Sequence, residues 1–399
     1  MANSPSRRSP RHRRGARVKP LMGGRQLIFA TVVVALVSLL PASSAAAKFK
    51  TDPDSHLQRQ IEAIVGSKGG PPGISVLIRR RGHKEFFRAG SAGGGLLLRP
   101  ELRFRIASVS KAFNAYVAAK LLNRGLSFNT TLGSSIPGTL PAAEAVTLRQ
   151  LLQHTSGLAE YIQAPAFVEQ LTADPKRYFS PTELTGFVRD APLEFAPGSK
   201  YHYSDTDNIA AALLEEKAFG VPYQQVLAKL VFEPLGMAYS SLPVTPRIPR
   251  PFLHGFDVAP GKKPEDVSEL LNPAGAWASG GIVSTSLDLS YFLRSYVPTM
   301  LRATQGLTGR FRPGSSSPPG PGKNFAGLGI FRYHTGCGTV YGHTGSFPGY
   351  RVFIAASADG ERSVVFVANA QIVPGGEGSQ KVAKAITEAQ AAALCRALS

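Results

Sequence analysis

Strand-like sequence occurs at the two ends of this chain and almost nowhere between them. ISVLIRRRG (74–82) and KEFFRAGSAG (84–93) are rich in β-branched and aromatic residues and bounded by glycine, which reads as a strand pair. The same character returns in GLGIFRY (327–333), GTVYGHTG (338–345), YRVFIAASADG (350–360) and RSVVFVAN (362–369), with a hairpin signal at Asp359-Gly360. From Gly125 to about residue 310 the reading is mostly helices and loops, and residues 313–322, PGSSSPPGPG, are a loop of Pro, Gly and Ser alone. A helical stretch, HLQRQIEAIVGSKG, precedes the first strand, and another, QKVAKAITEAQAAALCRALS, closes the chain. Sequence-distant strands are therefore expected to join one antiparallel sheet with the terminal helices packed on it. The fold class is α+β.

The N-terminus has a different character. Residues 1–26 carry eight Lys/Arg and no acid, and the apolar run LIFATVVVALVSLLP (Leu27–Pro41) leads into ASSAAAK. A basic stretch, a short apolar core and an Ala-x-Ala site read as a secretory signal peptide cleaved near Ala47. The run falls short of the roughly 20 residues of a bilayer span, which disfavours the alternative of an uncleaved membrane anchor. Met22 opens a compact leader of ordinary length, so either Met1 or Met22 serves as the start. Loss of residues 1–47 takes eight positive charges with it and lowers the formal charge from +19 to +11. Much of the basicity thus belongs to the leader. The remainder has no basic cluster interleaved with aromatics, and nucleic-acid binding is not expected. No CxxC or HExxH occurs, so neither a metal nor another cofactor is expected.

Three short elements carry chemistry. Ser108-Val109-Ser110-Lys111 is the only Ser-x-x-Lys, at the start of a periodic helical segment. Residues three apart share a helix face, so Lys111 can reach Ser108 and activate its hydroxyl. The pair read alone is equally an N-cap serine and a surface lysine. Tyr203-Ser204-Asp205 precedes an apolar helix. It reads either as a turn and cap or as a tyrosine placed to relay a proton. His-Thr-Gly occurs twice, at 334–336 and 343–345. The first copy leads into the turn Gly336-Cys337-Gly338. The second lies in a strand-like run, where Gly345 permits close backbone approach.

Taken in order, Ser-x-x-Lys, Tyr-x-Asp and His-Thr-Gly resemble the three elements of the serine β-lactamase and penicillin-binding-protein superfamily. The likeness is to class C β-lactamases and, more closely, to secreted D-alanyl-D-alanine carboxypeptidases. FRIASVSKAF, LLQHTSGL (151–158), AWASGGIVSTSLDLSYF (276–292) and CGTVYGHTGSFPGY match the same pattern, so the likeness covers essentially the whole mature chain. It implies a β-lactamase/transpeptidase-like domain over 48–399. An α/β lobe (48–107 and 325–399) and an all-helical lobe (108–324) would enclose a cleft. It also implies roles. Ser108 is the acylated nucleophile, Lys111 its activator and Tyr203 the proton shuttle. His343, Thr344 and Gly345 line the substrate edge, and the N–H groups of Ser108 and Ser346 form the oxyanion hole. Asp205 departs from the family's usual Asn. An ionised carboxylate only accepts hydrogen bonds and holds a neighbouring lysine protonated.

The implied activity is that of a monomeric D-alanyl-D-alanine carboxypeptidase acting on peptidoglycan through an acyl-enzyme. A β-lactamase or esterase on the same scaffold is the first alternative. A catalytically inactive wall- or peptide-binding protein is the second. A peptide or β-lactam is the expected small-molecule substrate, and no cation that reads its carboxylate is evident beyond the nearby Arg332. Cys337 precedes the motif strand and Cys395 lies in the closing helix, so an exported chain is expected to join them as a disulfide.

Overall fold

The computed structural model describes residues 49, 52 and 55–399, apart from 260–261, 313–317 and 373–376. The signal-peptide reading of 1–47 and the first half of the Pro/Gly/Ser loop lie outside the described residues. Seven strands form the main sheet: β1 (Gly73–Arg80), β2 (His83–Gly90), β3 (Lys323–Ala326), β4 (Phe331–Thr335), β5 (Gly338–Phe347), β6 (Tyr350–Ala356) and β7 (Arg362–Ala368). Five main helices accompany them: α1 (His56–Val65), α2 (Ser110–Leu121), α3 (Asp205–Phe219), α4 (Ser286–Ala303) and α5 (Glu377–Leu398).

The sheet order is β2-β1-β7-β6-β5-β4-β3, and every pairing is antiparallel. The N-terminal hairpin therefore docks onto the last strand, as the sequence required. Period-two alternation divides the apolar residues between two faces. Ile74, Val76, Ile78, Phe353 and Phe366 pack beneath the terminal helices with Leu57, Ile61, Ile386 and Leu394. Leu77, Val352, Ile354 and Val367 face the other way and join the core around α2 and α4, with Phe113, Leu289 and Phe292. That second core runs without interruption from the sheet into the helical region, so α4, expected in the helical lobe, also covers the sheet.

Two local differences from the sequence reading have simple causes. Lys323–Ala326 forms a strand that four residues of mixed polarity do not announce. The expected helix at Ser108 begins at Ser110, because Ala107 takes a left-handed φ of +53° and Ala107–Val109 form a tight 3-10 turn first. The disulfide is present: Cys337 and Cys395 are joined with Cα atoms 5.2 Å apart, tying the turn before β5 to the end of α5. Among the described residues no helix is long and apolar enough to cross a membrane.

Candidate active site

α2 is buried on nearly every side, from Ser110 through Ala118, as an all-round apolar helix in a core must be. That placement carries Lys111 into the interior with 0% of its surface exposed. Its ammonium makes three contacts: Ser108 Oγ at 3.1 Å, Asp205 Oδ1 at 2.5 Å and the Ser279 carbonyl at 2.9 Å. Burial alone lowers a lysine pKa, but the Asp205 carboxylate outweighs it, and Lys111 is held above its ordinary value. Ser279 lies in the AWASGG stretch, which supplies a carbonyl where the sequence suggested no contact.

The left-handed turn at Ala107 costs roughly 1–2 kcal/mol, and it presents Ser108 to the sheet. β5 approaches this turn so closely that only glycine fits at 345. A Cβ there would stand 2.4 Å from the Ile106 carbonyl oxygen and 3.1 Å from Ala107 Cβ. The strand and the turn carrying Ser108 are thus locked together by the absence of a side chain.

Ser204 caps α3 by accepting from the Asp207 N–H, which sets Tyr203 and Asp205 on either side of the helix start. The Tyr203 ring lies 4.9 Å from Lys111 Nζ and is tilted against the His154 ring at a centroid distance of 4.5 Å. Its hydroxyl is buried and lacks a hydrogen-bond partner of normal geometry. Burial raises its pKa more than Lys111 lowers it, so the resting group is a neutral phenol. His154 fixes the adjoining backbone by accepting from the Ser204 N–H at 3.1 Å. Burial and Lys111 push its pKa down to about 3, so the ring is neutral. Behind Asp205 sits a second acid. Glu160 accepts from the Asp205 backbone N–H at 2.6 Å, and burial together with Asp205 pushes its pKa up to about 7.

β4 pairs with β5 only as far as Gly342, so among the described residues no strand pairs with the edge of 343–347 that faces away from β6. Thr344, Gly345 and Ser346 line the cleft beside Ser108 and Tyr203. His343 does not line it. Its ring is 0% exposed, donates from Nδ1 to the Thr344 carbonyl at 2.6 Å and meets Phe331 edge-on, with its pKa lowered to about 3, chiefly by burial. The structure thus places His343 behind the substrate edge. His334 of the first copy is exposed and bonds to Thr339, across the β4–β5 hairpin.

The cleft that contains Ser108, Tyr203 and Thr344 has a volume of about 630 Å³. Arg351, directly across the ladder from Ser346, lines it and is partly buried. Among the described residues no acid pairs with it. Arg332 is instead held between Phe311 and Phe325, at 4.8 and 4.9 Å from the ring centroids. Sequence reasoning therefore missed His154, Glu160 and Arg351. The LLQHTSGL stretch was the one available signal for His154. Glu160 and Arg351 had none, because their relevance depends on packing and ladder register.

This geometry has known counterparts. D-alanyl-D-alanine-carboxypeptidase/endopeptidase AmpH of Escherichia coli (strain K12) is 28% identical over 285 residues, covering 68% of this chain and 69% of that protein. Esterase EstB of Burkholderia gladioli is 31% identical over 179 residues, covering 41% of this chain and 45% of that one. The chain spans only 63% of the first curated relative it matches, a penicillin-binding protein of Bacillus subtilis (strain 168). Among solved structures, a D-stereospecific amidohydrolase from Streptomyces sp. superposes with a TM-score of 0.70 at 28% identity, covering 82% of this chain and 97% of that one. The family model described as Beta-lactamase matches residues 54–388, nearly all of the described chain, and the protein belongs to that family.

Proposed function

We propose that the protein is a secreted serine peptidase of the D-alanyl-D-alanine carboxypeptidase type, acting on peptidoglycan stem peptides through an acyl-enzyme on Ser108. The observation that carries this reading is Arg351. A guanidinium with no acidic partner among the described residues, in the same cavity as Ser108, Tyr203 and Thr344, suits a leaving group that ends in a carboxylate. An alcohol or ammonia leaving group has no use for it. Residues 1–47 are the proposed export signal, and the Cys337–Cys395 disulfide fits an oxidising compartment. One copy of the chain supplies every group invoked, so the reading takes a monomer.

The proton economy of Lys111 shapes the chemistry. An ammonium has three protons, and three acceptors take them. Lys111 therefore donates to Ser108 Oγ in the resting site and cannot accept from it as it stands. Acylation requires Lys111 to pass a proton to Asp205 as it receives the one from Ser108. Serine becomes the attacking oxygen, the lysine stays an ammonium and the carboxylate becomes a carboxylic acid, with no net change in charge. The neutral Tyr203 phenol then protonates the departing amine. Its phenolate draws the proton back from the attacking water when the acyl-enzyme is hydrolysed. The backbone N–H groups of Ser108 and Ser346 serve as the oxyanion hole. His343 acts from behind, holding the Thr344 backbone.

Intact mass after exposure to a fluorescent penicillin should show one adduct on the wild type and none on Ser108→Ala. Arg351→Gln should raise KM for an acyl-D-Ala-D-Ala peptide about 10- to 100-fold, the range of a lost charge-assisted hydrogen bond. It should leave the matching ester, which has no terminal carboxylate, nearly unchanged. Equal losses on both substrates would remove the carboxypeptidase assignment.

A further inference from the structure

A second cavity, of about 250 Å³, opens on the other side of Ser108 and shares Ser108 and Ser346 with the first. Ile162, Phe167, Leu171, Leu271 and Phe347 supply hydrocarbon surface. Its polar members are already engaged with the protein. The Tyr161 hydroxyl donates to the Gly275 carbonyl, and Asn272 accepts from Ala274 N–H while donating to the Lys176 carbonyl. Ser279 Oγ donates to the Ala276 carbonyl. Asp205 is the one charged residue on this wall, and it is paired with Lys111.

The direction of the substrate follows from where the proton donor sits. Tyr203 and Arg351 both line the larger cavity and neither lines the smaller one. A leaving amine must face its acid, so the leaving half lies in the larger cavity. A peptide laid along the free edge of β5 passes Thr344 and Gly345 on that side and reaches Phe347 on the other. The acyl half then enters the smaller cavity.

Resting on the acyl-enzyme reading above, we propose that this smaller cavity is a specificity pocket for a large apolar side chain on the acyl-donating residue. The preferred substrates are then peptides in which a hydrophobic residue, aromatic or branched, precedes the scissile bond. The pocket has room for such a group: an apolar cavity of about 150 Å³ accepts benzene. A lysine or diamino-acid side chain would bury its ammonium against donors and acceptors that are already engaged, which is costly. Alanine, the residue at this position in stem peptides, enters the same pocket and fills it only in part, so stem peptides remain substrates that rank below the larger side chains.

The test is a series of acyl-X-D-Ala peptides, with X a D-residue bearing a methyl, isobutyl, benzyl or aminobutyl side chain and the leaving residue constant. The pocket predicts kcat/KM at least about 10-fold higher for isobutyl and benzyl than for methyl, with aminobutyl the poorest. Ile162→Asp, at a position 43% exposed and thus tolerant of change, should reverse the order of benzyl and aminobutyl. A flat series, or an order that Ile162→Asp leaves unaltered, overturns the pocket while acyl transfer stands. If no member is hydrolysed, the acyl-transfer reading fails instead. Binding of the same series to Ser108→Ala still reads the pocket in that case, since a preference for benzyl supports it and equal affinities overturn it.

Discussion

In the proposed mechanism Lys111 acts as a base only through Asp205, and this distinguishes the site from one built with asparagine. In Asp205→Asn the carboxylate that holds Lys111 above its ordinary pKa is gone, while the burial that depresses it remains. The amine then becomes the base in its own right. The acid limb of the acylation pH profile should move to the pKa of Lys111, with acylation retained on the amine as base. A limb that stays where it is would eliminate Asp205 as the proposed proton acceptor. Glu160 yields a prediction for stability. Its folded-state pKa of about 7 lies above the ordinary 4.5, so between those values the folded form binds more protons than the unfolded one. Its contribution to stability is therefore lost as pH rises from 4.5 through 7. Urea midpoints across that window should decline less for Glu160→Gln than for wild type, and parallel curves would refute this. The Ser108–Lys111 contact was legible in the sequence because the two need only one helical turn between them. Glu160 was not, because forty-odd residues of chain return to place it behind Asp205, and local spacing says nothing of such a return.

At the level of elements, β5 is supported at both ends by different means. Its first half is paired on both sides, with β4 and β6, and the disulfide ties the preceding turn to α5. Its second half is paired, among the described residues, with β6 alone, which leaves one edge open. The bridge closes a loop with a sequence separation of 58, so chain entropy alone credits it with about 4 kcal/mol, less any residual order in the unfolded chain. Cys337→Ser with Cys395→Ser should lower unfolding free energy by roughly 2–4 kcal/mol. A double variant as stable as wild type would show that α5 holds the turn without the bond. The long strands were readable because they are rich in β-branched and aromatic residues and bounded by turn residues such as glycine. β3 was not, since it has four residues and gains its identity from pairing with β4 rather than from its own composition.

At the scale of the whole molecule, strands at both chain ends forced a sheet assembled from distant segments, and the sheet order is the direct expression of that constraint. The division into lobes was less legible. α4 has the periodicity of any amphipathic helix, and nothing in that pattern says that one of its faces meets the sheet while the helical core meets the other. Arg351 stands at the same limit: a charged residue in a strand, whose exposure to the cleft follows from register with Ser346. The half-free edge of β5 has one more consequence. A bare strand edge is a template for any passing strand, including another copy of the same protein, and proteins shorten or obstruct such edges. Here the open stretch is confined to residues 343–347, and Pro318 and Pro319 stand in the cleft beside it. Neither proline has an N–H to give to a ladder. A peptide of the proposed kind could lie against the edge, and a longer strand would meet two residues that give it no ladder hydrogen bond.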